Sequence, residues 1–235
     1  MYTAQINEGR NAGRSDDVRN VKRALGSIYK FTPPLPMDKS NRGLKNDHCL
    51  RLLVSVKHDV DDPEIVRMIK EEQILLSPTD FGRYMYKNET ARVTGTSTDL
   101  LEGWLESPLL LQVATVLGYG TKAGEDKDPL ARRNRGCIKK YGIQAVTIPY
   151  IAYTVMLTRY ALSSDLQLSI DAGDEGHTYA SLYDLIVKML REMSPERLKR
   201  LTDVWYKKKL GTGDGSRYYV NDGTADEIFN ALRSG

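Results

Sequence analysis

The run from Ile143 to Leu162 is the most apolar stretch of this 235-residue chain, and it constrains everything around it. Gln144, Pro149 and Arg159 interrupt it. A membrane span needs about 20 predominantly apolar residues, so the run reads as a buried helix and no membrane role is expected. A helix apolar on most of its faces must be covered by other helices. The rest of the chain must supply that cover.

Upstream, the residues up to Arg14 are polar and contain Gly9 and Gly13, which reads as a mobile arm. Ser15 offers an N-cap, and Val18, Val21, Leu25, Ile28 and Tyr29 recur at helical spacing. Pro33, Pro34 and Pro36 end that helix and make an extended connector. A second helix starts at Asn46 or Asp47 and carries Leu50, Leu53, Val54 and Val60; Asp62-Pro63-Glu64 opens a third. From Ser77 to Thr98 the helical period is lost. Arg83-Tyr84-Met85-Tyr86 and Ala91-Arg92-Val93-Thr94 flank a polar turn at Asn88, the pattern of a short β-hairpin.

Downstream, Asp99 with Glu102 opens a helix that Ser107-Pro108 restarts and Gly118 stops. Beyond the central run, Leu182, Leu185, Ile186, Met189 and Leu190 mark another helix. Ser194-Pro195-Glu196 caps the last long one, which ends in Lys207, Lys208 and Lys209 before Gly211. A Gly- and Asp-rich tether follows, and Thr224 with Glu227 forms a capping box before Ile228, Phe229 and Leu232. So short a helix is marginal alone in water and needs a docking surface. The expected fold is mainly α: a helical globular core over 41–210, an N-terminal arm, first helix and connector over 1–40, and a tether with a short helix over 211–235. Both ends read as flexible arms.

Composition narrows the function. Hydrophobic residues at 40% and charged residues at 28% describe a globular chain, and two cysteines, Cys49 and Cys137, are too few for a disulfide framework. The polar start has no apolar signal region. A reducing, cytoplasmic or otherwise intracellular setting is the expectation. His48, His58 and His177 lack the spacing of a helical metal site, and neither cysteine has a CxxC partner, so no metal is expected. Asp171 to Gly176 begins like a calcium loop, but Leu182 stands where the bidentate Glu belongs. Gly118-Tyr119-Gly120-Thr121-Lys122 is not a phosphate-binding loop. No cofactor and no catalytic residue are assigned, although an enzyme with a dispersed site using Cys137 or His177 stays open as an alternative.

The sharpest feature is the basic segment Arg132-Arg133-Asn134-Arg135-Gly136-Cys137-Ile138-Lys139-Lys140-Tyr141. Cations interleaved with Asn, Gly and Tyr suit phosphate contacts plus stacking on bases. The plainer alternative is a solvated helix start balanced by Glu125, Asp126 and Asp128. The net charge of +3 permits a polyanion without requiring one.

The layout of the polar arm, the Pro33-Pro34-Leu35-Pro36 connector, the basic run before a buried helix and the tethered Ile228, Phe229 and Leu232 resembles that of nucleoproteins of negative-strand RNA viruses. The resemblance implies a helical structural protein of the virion that binds RNA without sequence specificity. It implies that Arg132, Arg133, Arg135, Lys139 and Lys140, with Tyr141, contact the RNA. It also implies that Ile228, Phe229 and Leu232 dock on a neighbouring copy, giving a homo-oligomer. The competing expectation is a helical protein-interaction or regulatory module whose C-terminal helix lies in another protein's groove.

Overall fold

Ile151, Val155, Leu157 and Leu162 have no exposed surface in the computed structural model, and the helix that carries them is the axis of the core. The structure describes residues 2–77, 79–89, 99–121, 145–168 and 179–210. Among the described residues seven α-helices make the fold: α1 (Tyr2–Ile28), α2 (Asp47–Leu53), α3 (Pro63–Lys70), α4 (Pro108–Tyr119), α5 (Ile148–Leu162), α6 (Tyr179–Arg191) and α7 (Pro195–Leu210). The mainly helical architecture expected from the sequence is the one observed. Helix α5 packs on α1, α2, α4 and α6, and α7 packs on α4.

The start of α5 follows from local chemistry. Thr147 Oγ1 accepts the amide of Tyr150 at 3.3 Å, and Pro149 sits in the first turn, where its missing N–H costs nothing. The proline read as an interruption is therefore a start signal, and the helix begins at Ile148 rather than Ile143. Asn46 caps α2 through the amide of Cys49 (3.0 Å), Asp62 caps α3 through that of Glu64 (2.9 Å), and Ser107 caps α4 through that of Leu109 (3.2 Å).

Three other expectations are corrected. Helix α1 begins at Tyr2, so the stretch read as an arm continues the helix; Ala4, Gln5, Glu8, Arg10 and Ala12 are good helix formers, and they outweigh Gly9 and Gly13. Its Val21, Ala24, Leu25 and Ile28 belong to the main core instead of standing apart from it. Arg83–Met85 forms a 3-10 turn, and Tyr86 bridges Trp104. The first half of the expected hairpin thus pairs with a distant segment, while Ala91–Thr94 lie outside the described residues. Helix α4 runs one residue beyond Gly118 to Tyr119, and Gly120, at φ +90°, ends it.

Between Asp99 and Ser107 the chain makes a 3-10 turn (Asp99–Leu101) and reverses through Gly103 and Leu105, at φ +66° and +62°. A left-handed leucine is costly, and it is held by packing: Leu105 is fully buried and its carbonyl accepts the indole N–H of the buried Trp205 at 2.8 Å. A smaller second core joins Leu50, Val54, Val60 and Ile69 beneath α3.

Candidate functional site

The basic run Arg132, Arg133, Arg135, Lys139, Lys140 and Tyr141 lies outside the described residues, as do Ile228, Phe229, Leu232, Cys137 and His177. What the described residues bring together is a set of cations of two kinds, buried ones that close helix ends and exposed ones that close nothing.

The buried set centres on the C-terminus of α5. Its last carbonyls have no intrahelical partner and carry the negative end of the helix dipole. Arg42, 5% exposed, donates through Nη1 to Ala161 O at 2.9 Å and through Nε to Pro36 O at 3.1 Å. Lys39, 8% exposed, donates through Nζ to Ser163 O at 2.7 Å and to Asp165 O, and it lies 4.0 Å from the centre of the Tyr160 ring. Burial pushes the Lys39 ammonium down to about 8; Asp165 opposes the shift, and Arg42 and Lys22 add to it.

Lys39 Nζ also stands 3.3 Å from Ser163 Oγ, which bonds Asp165 Oδ2 and the Tyr179 hydroxyl, both at 2.9 Å. A Ser–Lys pair catalyses when a neutral amine accepts the serine proton. Here the ammonium is the donor, its protons are spent on main-chain carbonyls, and Ser163 Oγ turns back to Tyr160 O at 3.0 Å. The cluster is a helix-end clamp fixing the connector to α5.

Arg83 performs the same service for α2. It is 2% exposed and donates to Val54 O (3.3 Å), Ser55 O (2.7 Å) and His58 O. Arg159 donates through Nη2 to Ser77 O at 2.8 Å, and its guanidinium also interacts with the hydroxyl of the fully buried Tyr84. Burial drives the Tyr84 hydroxyl pKa far up, against the pull of Arg159. Cys49 is buried and its thiol is pushed up to about 11, which leaves it inert as a nucleophile at neutral pH. Among the described residues no group of three or more His, Cys, Asp or Glu could hold a metal ion.

Exposed cations fall into two populations. On α2 and α3 they are paired, Arg51 with Asp61 (2.6 Å), Arg67 with Glu64 (2.7 Å) and with Glu71, and Lys70 with Asp47 (2.8 Å); on α1 Arg19 pairs with Asp16 (2.6 Å), while the exposed Arg14 and Arg23 form no ion pair among the described residues. On α6 and α7, Lys188, Arg191, Arg200 and Lys207 are exposed and form no ion pair among the described residues. From Tyr179 to Leu210 there are eight Lys and Arg against four Asp and Glu; from Asp59 to Glu72 there are six acids against two cations. The modest net charge of the whole chain conceals this segregation.

The sequence reading did not find the buried cations as a group. The one visible signal was Arg159, which interrupts an otherwise apolar run. Lys207 and its neighbours, seen on one helix alone, serve only as complements to the helix dipole; their part in a cationic flank needs α6 and α7 together.

Fold and charge together define a helical protein whose described chemistry lies in helix-end clamps and a cationic flank. The profile of a family of unknown function (DUF6698) matches residues 8–209, and the chain belongs to that family. No curated protein and no solved structure matches it. The family match takes in Arg132 to Tyr141 and stops short of the terminal segment with Ile228, Phe229 and Leu232.

Proposed function

We propose that this protein is a helical structural protein that binds RNA along the phosphate backbone, without sequence specificity, and self-associates through its terminal segment. The observation that carries the reading is the surplus of exposed, unpaired cations on α6 and α7. Cations that have no acid to neutralise them attract a polyanion, whereas those on α2 and α3 are already spent. The run Arg132 to Lys140 adds five cations in nine residues within the span of the family match. Arginine and lysine with Tyr141 supply backbone neutralisation and a stacking face, the two components of sequence-independent single-strand binding. Ile228, Phe229 and Leu232 are the contacts assigned to a neighbouring copy.

The mechanism has a thermodynamic signature. Each phosphate neutralised releases counterions, so about five contacts to single-stranded RNA give roughly hundredfold weaker binding when salt rises from about 50 to 200 mM. Fluorescence anisotropy with a labelled single-stranded RNA of mixed sequence measures this slope. Arg200→Glu with Lys207→Glu weakens binding several-fold and flattens the slope. Affinity independent of salt, or unmoved by the charge reversals, contradicts the proposal.

A further inference from the structure

The connector between α1 and α2 is held at Thr32 by a bond that only one protonation state of its partner can make. The Thr32 amide donates to Nδ1 of His48 at 2.7 Å, so Nδ1 must carry a lone pair and the imidazole must be neutral. The ring is boxed by aromatic edges: Phe31 at 5.2 Å and Tyr29 at 5.8 Å between centroids, with Tyr29 and Phe31 themselves 5.1 Å apart. Phe31 is buried, and Asn46 Nδ2 reaches Pro34 O at 3.4 Å. Thr32 is thus the point where the connector meets α2, between the buried end of α1 and the Lys39 clamp.

We propose that His48 is a proton-operated latch: neutral, it holds the connector on α2, and protonated, it loses its acceptor and releases residues 29–36 while the helical core stays folded.

The surroundings set the direction. Burial depresses the imidazole pKa below its ordinary value; the Thr32 backbone opposes that shift and Arg51 on the same helix adds to it, and the net direction is down. Arg51 is tied to Asp61 and Asp47 to Lys70, so both nearby α2 charges have partners on other segments. On the connector side the charged neighbour is Lys30, which is exposed. From the 83–89 segment, Glu89 bonds the Tyr29 hydroxyl, and burial raises its pKa. Either form of that carboxyl accepts the phenol proton, so Glu89 does not open the connector as pH falls. A group whose folded pKa is depressed contributes stability that is complete above its unfolded value and is lost as pH falls through the folded one. For His48 the loss begins near pH 6.5 and proceeds downward.

The test is hydrogen exchange of the full chain, followed by mass spectrometry of peptides covering 29–36, between pH 7.5 and pH 5 and corrected for intrinsic exchange. Wild type loses protection by roughly two- to tenfold on acidification, the factor one ordinary hydrogen bond contributes, while peptides from α4 and α5 do not change. His48→Asn places a carbonyl oxygen near the position of Nδ1, so its protection is independent of pH. If wild-type protection over 29–36 is flat, or if His48→Asn shows the same loss as wild type, the latch is refuted. The wild-type titration stands alone should the variant fold poorly.

Discussion

Lys39 and Arg42 show how a cation can be structural in the interior. Each exchanges water for main-chain carbonyls at the end of α5, where the helix dipole supplies the negative potential that a carboxylate would otherwise provide. The compensation is incomplete for Lys39, because its folded pKa falls to about 8 from an ordinary 10.5. Between those values the unfolded chain binds the proton and the folded chain does not, so this residue's contribution to stability rises with pH across that window. The unfolding free energy of wild type minus that of Lys39→Arg therefore increases from pH 7 to pH 9.5 in denaturant titrations, since arginine stays charged throughout. A difference that is flat or falls with pH would show that the ammonium is fully compensated. None of this was legible in the sequence. A lysine or arginine in a polar segment reads as surface, and only the fold shows that Lys39 and Arg42 turn inward onto a helix far along the chain, with 119 positions between Arg42 and Ala161.

Helix boundaries were the most legible element, because caps and prolines act locally. Asn46, Asp62 and Ser107 could each be read as start signals, and each accepts an amide from the first turn of its helix. The failures share a cause. Pro149 favours a first turn as strongly as it breaks an interior, and apolar periodicity cannot choose between the two. Arg83 to Tyr86 has a strand-like composition, but Arg83 is drawn to the carbonyls at the end of α2, a tertiary effect. One element ends against its own preference. After α3, the amide of Gln73 bonds Met68 O at 2.8 Å and that of Glu72 bonds Ile69 O at 3.1 Å, a Schellman closure with Glu72 at φ +59°. Glycine suits that conformation, and removing an acid from the negative end of the helix helps as well. Glu72→Gly stabilises the protein by about 0.5–1 kcal/mol in chemical denaturation. A destabilisation would mean that the Glu72 side chain makes a contact worth more than the strain.

At the scale of the molecule, α5 forms the axis, α1, α2, α4 and α6 cover it, and α7 is fastened to α4 and to the reversal at Leu105 by Trp205. Two flanks of opposite charge result, one acidic around α3 and one cationic along α6 and α7. The sequence carries this asymmetry openly, yet it becomes a surface property only when burial separates cations that close helices from cations that face solvent and form no ion pair among the described residues. Cations of the second kind, with the run Arg132 to Lys140, are proposed to hold RNA. Size-exclusion chromatography of the full chain with absorbance at 260 and 280 nm, before and after nuclease, tests it on wild type and on Arg132→Ala/Arg133→Ala/Arg135→Ala. Wild type is expected to elute as a nucleic-acid-bearing oligomer that nuclease lightens, and the triple variant without nucleic acid. Wild type that elutes free of nucleic acid, or a triple variant that retains it undiminished, would contradict it.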